Sequence, residues 1–299
     1  MLPATVDHLY RFPIRSCGVA GSNLIARGGR GAVVAVFDSS FYFDVDGTLA
    51  CVVRADVPDG PMHLVLDVPT SLSWKSVGLE VGATVRIADR FVVVDRAFRF
   101  DATFMNVWRP ETQRGTWTRA SLNRGIRALK QIINSRLSAI SLSDTLVHAY
   151  GGANVVRSLA AICNEHFELE GSDGDLKALS ALIGFGNGLT PSGDDFLGGF
   201  MIALHVAGYF EACAAVWSII GPVAEKTTNR VSFGHLSHAS QGRTIEPLHT
   251  LAIAALGGRQ EEISNLTDEI DRVGHSSGWD IVAGMIFGFE VVESQFQLV

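Results

Sequence analysis

The sequence predicts an α+β protein with two domains: an N-terminal antiparallel β-barrel or sandwich-like domain over residues 1–110, followed by a mostly α-helical domain over residues 111–299. Three observations support this prediction. The first third of the chain contains short β-branched runs separated by turn dipeptides. The remainder has apolar residues at three- and four-residue spacing, which is typical of helices. A polar segment with a proline and a glycine, residues 109–115, separates the two patterns.

The residues up to about 105 are predicted to form strands. The segment 41–53 is expected to be a hairpin, because Asp46-Gly47 is a dipeptide that tight primed turns prefer. A second hairpin is expected where the runs 84–88 and 91–94 meet across Ala88-Asp89-Arg90. Further strands are expected at 32–37 and, after a turn at Asp59-Gly60, at 62–68. Short strands at this spacing are typical of small barrels and sandwiches.

The residues after 115 are predicted to form helices. Ile126, Leu129 and Ile133 lie on one helical face, and Val155, Leu159 and Ile162 repeat the pattern before a polar loop at 170–175. The apolar stretch 196–221 is long enough to suggest a membrane span. Charged residues beside and within it, and the proline that follows, favour a buried core helix instead.

The composition excludes several classes of protein. A hydrophobic fraction of 47% rules out a disordered or fibrous chain. The formal net charge of −7 disfavours a nucleic-acid partner. Charged residues make up only 18%, against about 25% in typical proteins, which suggests that a partner covers part of the surface. The four cysteines are too far apart for a metal or redox pair, and the first residues do not resemble a signal peptide, so we expect a cytoplasmic protein.

The segment 41–49 is similar to the first motif of haloacid-dehalogenase-type phosphatases. In those enzymes a strand presents a nucleophilic aspartate, and a second aspartate acts as acid and base. Asp44 and Asp46 would take these roles here. The family motif is followed by a crossover helix, whereas residues 50–53 continue as a strand. A hairpin turn is therefore the favoured interpretation, and the phosphatase is the weaker alternative.

Two glycine- and serine-rich segments, each leading into an apolar run, are the best candidates for a functional site. The first is Gly184–Phe196 and the second is Gly274–Gly284. Aligned on Ser192 and Ser277, both have the pattern Ser-Gly-x-Asp followed by a glycine. A glycine loop that leads into a helix N-terminus presents free N–H groups to an anion. We therefore predict that the two segments converge on one anion site.

Helix capping is the alternative for the same residues. Ser192 with Asp195, and Ser277 with Asp280, have the spacing of a capping box. Carboxylates at a helix N-terminus also repel an incoming anion. Either Asp194 and Asp195 point away from the ligand, or one carries a proton, or a metal lies between them. The segment 226–232 offers hydroxyls and two cations to an anion, and His235-x-x-His238 is not predicted to bind zinc.

The segment 186–200, GNGLTPSGDDFLGGF, resembles the signature of the AllH family. Thr227-Thr228, Ser232 and the segment 274–280 resemble later motifs of that family in the same order. The resemblance implies a subunit of an oxamate carbamoyltransferase, which converts oxalurate and phosphate to oxamate and carbamoyl phosphate in purine catabolism. It implies two partners, an acyl-CoA-synthetase-like FdrA-type subunit and a third subunit. A non-catalytic metabolite-binding or assembly subunit is the alternative.

This chemistry needs anion-binding donors and a proton carrier. His275 is the first choice of proton carrier by its intrinsic pKa, and Asp194 and Asp195 are further catalytic candidates. The predicted substrate-binding residues are Gly186, Asn187, Gly188, Thr190, Ser192, Gly193, Thr227, Thr228, Ser232, Ser276, Ser277, Gly278 and Asp280. The expected ligands are phosphate, carbamoyl phosphate and an oxamate-like carboxylate. No cofactor or metal is predicted, with Mg²⁺ and a homo-oligomer left open.

Overall fold

The computed structural model describes residues 10–110, 117–136, 180–274 and 276–295. The chain divides into two compact units, Met1–Pro110 and Glu111–Val299. The first unit is built mainly of strands, and the described part of the second unit is helical. The α+β class predicted from the sequence is therefore confirmed.

The first unit is a closed barrel with one helix. Its elements are β1 (Tyr10–Gly18), α1 (Val19–Arg27), β2 (Gly29–Val36), β3 (Ser40–Val45), β4 (Thr48–Arg54), β5 (His63–Leu66), β6 (Thr84–Ala88), β7 (Phe91–Val94), β8 (Phe98–Asp101) and β9 (Asn106–Trp108). Eight strands form the barrel in the order β5-β4-β3-β2-β6-β7-β8-β1, and β1 pairs with β5 to close it. Strand β9 adds to the end of β1.

The barrel is mixed, so the prediction of a purely antiparallel sheet was wrong. Strands β4 and β5 are parallel, and β1 is parallel to β8 and to β9. For β1, the reason is that this strand, from the start of the chain, inserts between β8 and β5. A hairpin turn determines only the relative direction of the two strands that it connects. Helix α1 is a second correction, since the residues that form it were expected to be a strand.

The hairpin predicted for 41–53 is present. Strands β3 and β4 pair in register up to Val45 and Thr48. The turn residues Asp46 and Gly47 have φ of 48° and 82°, as a tight primed turn requires. The Gly47 N–H donates to Asp44 Oδ1 at 3.1 Å. The phosphatase-like motif is thus a β-turn followed directly by a strand, and the geometry does not support the phosphatase alternative.

Aromatic side chains fill the barrel. Trp74 is fully buried, and its ring lies 5.0 Å from that of Phe41, 5.7 Å from Phe98 and 6.0 Å from Phe100, measured between centroids. The three ring pairs meet edge to face, an arrangement that aromatic groups prefer. Residues of β3 and β8 therefore pack around one tryptophan from the segment between β5 and β6.

The described part of the second unit consists of helices. They are α2 (Arg119–Arg136), α3 (Ser192–Val206), α4 (Phe210–Thr227), α5 (Arg230–Ala239), α6 (Glu246–Gly257), α7 (Gln260–Asn265), α8 (Thr267–Ile270) and α9 (Ser277–Gln295). The helix predicted around Ile126 and Leu129 is α2, and this prediction is confirmed. The helix predicted around Leu159 and the loop at 170–175 lie outside the described residues.

The apolar stretch 196–221 forms two helices, so the prediction of one core helix was wrong. Helix α3 ends at Val206 and α4 begins at Phe210, with Gly208 between them at a φ of 90°. Only glycine adopts this conformation readily, which explains the break. Pro222 does not end the stretch but lies inside α4. In the described ranges, no helix combines the length and apolarity needed to cross a membrane.

Candidate functional site

Helices α3 and α9 pack together at the centre of the second unit, and glycines bring their backbones into contact. A Cβ at Gly199 would lie 1.9 Å from the carbonyl oxygen of Ile281. A Cβ at Gly284 would lie 1.9 Å from the carbonyl oxygen of Phe196. Real Cβ atoms do not approach backbone atoms this closely, so both positions require glycine. The glycines that follow the two Ser-Gly-x-Asp patterns therefore serve helix packing.

The contact is reciprocal, which relates the two helices by an approximate two-fold axis. Gly199 follows Asp195 by four residues, and Gly284 follows Asp280 by four residues. Each glycine contacts the residue that comes directly after the aspartate of the other helix. The two segments aligned in the sequence are thus equivalent in space. Their N-terminal ends meet.

Hydroxyl groups connect the two N-terminal ends. Thr190 Oγ1 and Ser277 Oγ lie 2.8 Å apart. The carboxyl group of Asp195 on α3 hydrogen-bonds with Ser277 at the start of α9 and with Thr190. The carboxyl group of Asp280 on α9 hydrogen-bonds with Ser192 at the start of α3, and also with Ser276. Each aspartate is therefore bonded to the first serine of the opposite helix.

This exchange overturns the capping-box alternative for α3. Ser192 is the first helical residue rather than the N-cap, and the N-cap position, Pro191, has no side-chain hydrogen bond. The carboxyl group of Asp195 bonds with Ser277 of α9 and with Thr190, and not with Ser192. The i, i+3 spacing of serine and aspartate is the same in both arrangements, so the sequence did not distinguish them.

The two carboxyl groups are deeply buried, with Asp195 6% and Asp280 1% exposed. Burial raises the pKa of Asp195 well above its ordinary value, the hydrogen bond from Ser277 opposes this, and the charge of Asp280 raises it further. Burial also raises the pKa of Asp280, against hydrogen bonds from Ser192 and Ser276. Within the described residues, Oδ2 of each carboxyl group has no hydrogen-bond partner. Burial thus shifts the ionisation of both neighbouring acids toward higher pH.

Asp194 is buried but fully bonded. Its Oδ1 accepts a hydrogen bond from the Gly184 N–H at 2.8 Å. Its Oδ2 accepts from the hydroxyls of Thr228 and of Ser232, the latter at 2.6 Å. These bonds join the glycine loop, the N-terminus of α3 and the junction between α4 and α5. Asp194 therefore ties the glycine loop to the junction between α4 and α5.

Asn229 completes this junction. Its Oδ1 accepts from the N–H groups of Val231 and Ser232, at 3.0 and 3.1 Å, and so caps α5. Its Nδ2 donates to the carbonyl oxygen of Leu189 at 2.6 Å. The sequence analysis did not select Asn229, although asparagine before a helix is a common N-cap.

The glycine loop between 186 and 190 faces solvent. Gly186 and Gly188 have φ of 108° and 105°, which favours glycine at both positions. Asn187 between them is exposed. A Cβ at Gly188 would meet nothing within 4 Å. Among the described residues, the N–H groups of these three residues donate to no backbone carbonyl. They are available to an anion.

The N–H groups of Gly193 and Gly278 both have backbone partners. Gly193 donates to the carbonyl oxygen of Phe185 at 2.9 Å, and Gly278 donates to that of Val273 at 3.0 Å. Both glycines are the second residue of their helices. Each N–H group thus joins the start of its helix to the loop that precedes the helix, and the arrangement is the same at α3 and α9.

Two family models match the chain. The model described as oxamate carbamoyltransferase subunit AllH matches residues 182–289, and the model described as the AllH family N-terminal domain matches residues 16–106. The chain belongs to the AllH family. The resemblance stated from the sequence motifs is thereby confirmed. No curated protein and no solved structure matches the chain.

The AllH match contains all of the predicted site residues, since it begins before the glycine loop and ends within α9. The structure brings Thr190, Ser192, Ser276 and Ser277 of this AllH chain around the paired acids. Thr228 and Ser232 bond to Asp194 instead. The Thr227 hydroxyl donates to the Val223 carbonyl within α4 at 2.8 Å.

His275, the first choice of proton carrier, lies outside the described residues of the AllH chain. Among the described residues, no group of three or more histidine, cysteine, aspartate or glutamate side chains is arranged to hold a metal ion. The carboxyl group of Asp194 is occupied by hydrogen bonds, and burial raises the pKa of Asp195.

Proposed function

We propose that this AllH chain is a carbamoyltransferase subunit that binds small anionic substrates at the paired N-termini of α3 and α9. The proposed reaction is the transfer of the carbamoyl group of oxalurate to phosphate, which gives oxamate and carbamoyl phosphate. One observation carries the proposal. Asp195 and Asp280 are two buried acids with raised pKa values, and each has one carboxyl oxygen without a partner in the described part of the chain.

The reaction needs two proton transfers. A phosphate oxygen attacks the carbamoyl carbon, and the bond from that carbon to the amide nitrogen breaks. The nitrogen gains a proton, and hydrogen phosphate loses one. Two neighbouring carboxyl groups that repel each other when both are ionised share one proton. In this proposal the protonated member of the Asp195–Asp280 pair donates to nitrogen, and the ionised member accepts from phosphate.

The same pair makes anion binding compatible with acidic residues. A protonated carboxyl group does not repel phosphate or a carboxylate, and it donates a hydrogen bond. The N-termini of two helices face the site, and each helix dipole favours an anion by roughly 0.3–1 kcal/mol. The free N–H groups of Gly186, Asn187 and Gly188 and the hydroxyls of Ser192 and Ser277 are the further donors in this proposal.

The proposed partners are the FdrA-type subunit and the third subunit of the assembly, and the proposed location is the cytoplasm. The description of the matching family model as a subunit supports partners. The charged fraction of 18% supports a surface that other chains cover.

The experiment is carbamoyl transfer by the assembled complex. The chain is co-purified with its partner subunits, and phosphate release is measured from carbamoyl phosphate and oxamate, the reverse direction. Asp195→Asn and Asp280→Asn are each expected to lower turnover by roughly 10²–10⁴-fold, the usual contribution of a general acid or base. Asp44→Asn in the barrel hairpin is the matched control and is expected to be as active as the wild type.

Two outcomes distinguish the alternatives. Full activity in both Asp195→Asn and Asp280→Asn would rule out a role for the pair in proton transfer. A second outcome is that the complexes formed with Asp195→Asn or Asp280→Asn are active, but the isolated variant chains no longer bind substrate. The subunit would then be a non-catalytic metabolite-binding component. Hydrolysis of a general phosphatase substrate with Mg²⁺, abolished by Asp44→Asn, would revive the phosphatase alternative.

A further inference from the structure

The outer face of the barrel carries arginines that lie side by side across the sheet. Arg30 of β2 lies opposite Arg86 of β6, and Arg11 of β1 lies beside Arg99 of β8. Val93 of β7 pairs with Arg86 on one side and with Arg99 on the other. These five residues form one line across five strands, which is about 19 Å long at the usual spacing of strands. We call the four arginines the arginine row.

The arginine row faces outward because side chains alternate between the two faces of a strand. Arg86 lies between two buried residues of β6, and Arg99 lies between two buried phenylalanines of β8. Arg11, Arg30 and Arg86 are exposed, and Arg99 is half-buried. The guanidinium of Arg99 lies over the ring of Phe91, with its Cζ atom 3.5 Å from the ring centroid. This stacking uses the face of the planar group, whereas its N–H donors lie along the edge.

No ion pair neutralises the arginine row within the described residues. None of its four side chains forms a salt bridge or donates a hydrogen bond there. Asp95 Oδ1 accepts from the N–H and the hydroxyl of Thr84, at 2.6 and 2.9 Å, and Asp101 Oδ1 accepts from the Thr103 N–H at 2.8 Å. Hydrogen bonds with Thr103 are the chief cause of the lowered pKa of Asp101, and the charge of Arg99 adds a smaller effect. Both aspartates are therefore bonded to threonines rather than to arginines.

The arginine row opposes the stability of the barrel. Like charges directly opposite each other on neighbouring strands repel, as at Arg30 and Arg86. An excess of basic residues does not explain the row, because residues 1–110 contain eleven Lys and Arg and eleven Asp and Glu, and the whole chain has a net charge of −7. A partner that brings carboxylates to the row removes the repulsion, and arginine binds carboxylates through two parallel hydrogen bonds. The row is therefore suited to an acidic partner.

A protein surface fits the arginine row better than a polyanion or a second copy of this chain. Phe91 and Val93 place apolar groups among the arginines, and protein interfaces are rich in arginine and aromatic residues. Asp95 and Asp101 would oppose a phosphate backbone, which is negative along its whole length, whereas a protein can place other groups opposite them. In a two-fold contact between two copies through this face, arginines would meet arginines.

We propose that the arginine row, with Phe91 and Val93, is the docking surface for a carboxylate-rich face of another subunit. This inference rests on the proposed function, in which the chain is one subunit of an assembly. Because the contact is made by exposed charges, it is screened by salt, so association is strongest at low ionic strength. The docking surface consists of residues of the barrel alone, and none of them belongs to the proposed carbamoyl-transfer site.

The test is binding of the full chain to each of the two proposed partner subunits, by biolayer interferometry at about 50 to 500 mM NaCl. Arg86→Glu is expected to weaken binding of one subunit at least about tenfold, because like charges then face each other across the contact. Arg86→Gln is expected to weaken it less, and Arg11→Glu repeats the test at a second position of the row. Arg127→Glu changes the net charge equally at an exposed arginine of α2, so this control is expected to bind as the wild type does.

Urea unfolding separates docking from a structural role. Arg86→Glu places opposite charges at the pair with Arg30, so the variant is expected to be as stable as the wild type or more stable. A large loss of stability in Arg86→Glu and in Arg11→Glu would assign the row a structural role and overturn the proposal. Equal binding by Arg86→Glu and Arg127→Glu, or binding of neither subunit by the wild type, would overturn it as well.

Further arms of the experiment examine the other partners. A single-stranded RNA, vesicles that contain phosphatidylserine, and the oligomeric state of the chain alone are measured for wild type and Arg86→Glu. An effect of Arg86→Glu in one of these arms, with unchanged binding of the subunits, would overturn the acidic protein partner. A complex that assembles through the row but does not transfer the carbamoyl group would contradict the proposed function alone. An active complex that assembles equally well with Arg86→Glu would contradict the docking surface alone.

Discussion

Asp195 and Asp280 make the stability of the folded chain depend on pH. Their pKa values in the folded state lie above the ordinary value of 3.8, chiefly because both are buried. Above that pH the unfolded chain has released protons that the folded chain retains, so the free energy of unfolding falls as the pH rises. The slope approaches about 1.4 kcal/mol per pH unit for each group until its folded-state pKa is passed.

We therefore predict that replacing both acids by asparagine flattens this dependence. The measurement is urea unfolding of wild type and of Asp195→Asn, Asp280→Asn at a series of pH values from 4 to 8. The free energy of unfolding of the variant rises most relative to that of the wild type at the highest pH values, because there the folded wild type must ionise buried carboxyl groups. Parallel pH profiles for the two proteins would show that the pair does not retain its protons in the folded state.

Asp194 is predicted to matter for stability more than for chemistry. Asp194→Ala removes the acceptor for Gly184 N–H and for the hydroxyls of Thr228 and Ser232, so the free energy of unfolding should fall by about 3 kcal/mol or more. Asp194→Asn keeps an acceptor and should lose less. Asp268→Ala, at an exposed aspartate, is the control and should change stability by less than about 0.5 kcal/mol. Equal stability of the two alanine variants would contradict this role.

The sequence identified the chemical types at the site but not their bonding partners. Serine and aspartate at i, i+3 have the same spacing whether they cap one helix or bond between two. The choice between Ser192–Asp195 and Ser192–Asp280 depends on a tertiary contact that no local pattern encodes. The role of Asp194 was missed for the same reason, since two of its partners lie beyond α4.

Gly199 and its neighbour Gly198 give a test of the α3–α9 contact at the level of elements. A methyl group at Gly199 would collide with the backbone of α9 at Ile281. At Gly198 it would lie 3.6 Å from the Cβ of Ala239, an ordinary contact. We predict that Gly199→Ala lowers the free energy of unfolding by about 3 kcal/mol. Gly198→Ala should be neutral or stabilising by up to about 1 kcal/mol, because alanine is the better helix former.

Thermal or urea unfolding of the two alanine variants checks this prediction. The same substitution one position apart controls for helix propensity and for loss of glycine. If both variants unfolded alike, the close approach of α3 and α9 would not contribute to stability. Gly284→Ala, at the position equivalent to Gly199, should repeat the loss, because the contact is reciprocal.

The hairpin of β3 and β4 gives a second prediction for an element. Asp46→Asn preserves the turn because asparagine also tolerates a positive φ, and Asp44→Asn retains an acceptor for the Gly47 N–H. Both variants are therefore expected to keep the stability and the carbamoyl transfer of the wild-type complex. If either variant lost activity while circular dichroism showed an intact fold, the segment 41–49 would have a role beyond forming the hairpin turn.

Elements were predictable where a local pattern determines them. The Asp46-Gly47 turn and the paired runs of β6 and β7 were found because a hairpin is specified within a few residues. The break at Gly208 was missed, because apolar residues continue on both sides of it. The parallel pairing of β1 with β8 joins residues far apart in sequence, and alternating polarity does not indicate strand direction.

For the whole molecule, the change of periodicity near Pro110 indicated two different architectures, and the chain divides at that residue into two compact units. Composition disfavoured a nucleic-acid partner, but it does not identify a substrate. The motif resemblance indicated the family, and the match at 182–289 supports that family assignment. The alignment of the two Ser-Gly-x-Asp segments predicted that they converge, but it did not predict that each aspartate bonds to the serine of the opposite helix.

The last prediction follows from the family description as a subunit and from the low charged fraction of 18%. The isolated chain is expected to bind phosphate but not to transfer the carbamoyl group, whereas the co-purified complex does both. The physical reason is that the Gly186–Gly188 loop faces solvent, and a proton transfer by the paired acids needs water excluded from the reacting atoms. Calorimetry with phosphate and phosphate release from carbamoyl phosphate and oxamate, on the chain alone and on the complex, make the comparison. The Asp195→Asn complex should assemble with the same stoichiometry by size-exclusion chromatography and remain inactive. Turnover by the isolated chain at the rate of the complex would show that this subunit completes its site without a partner.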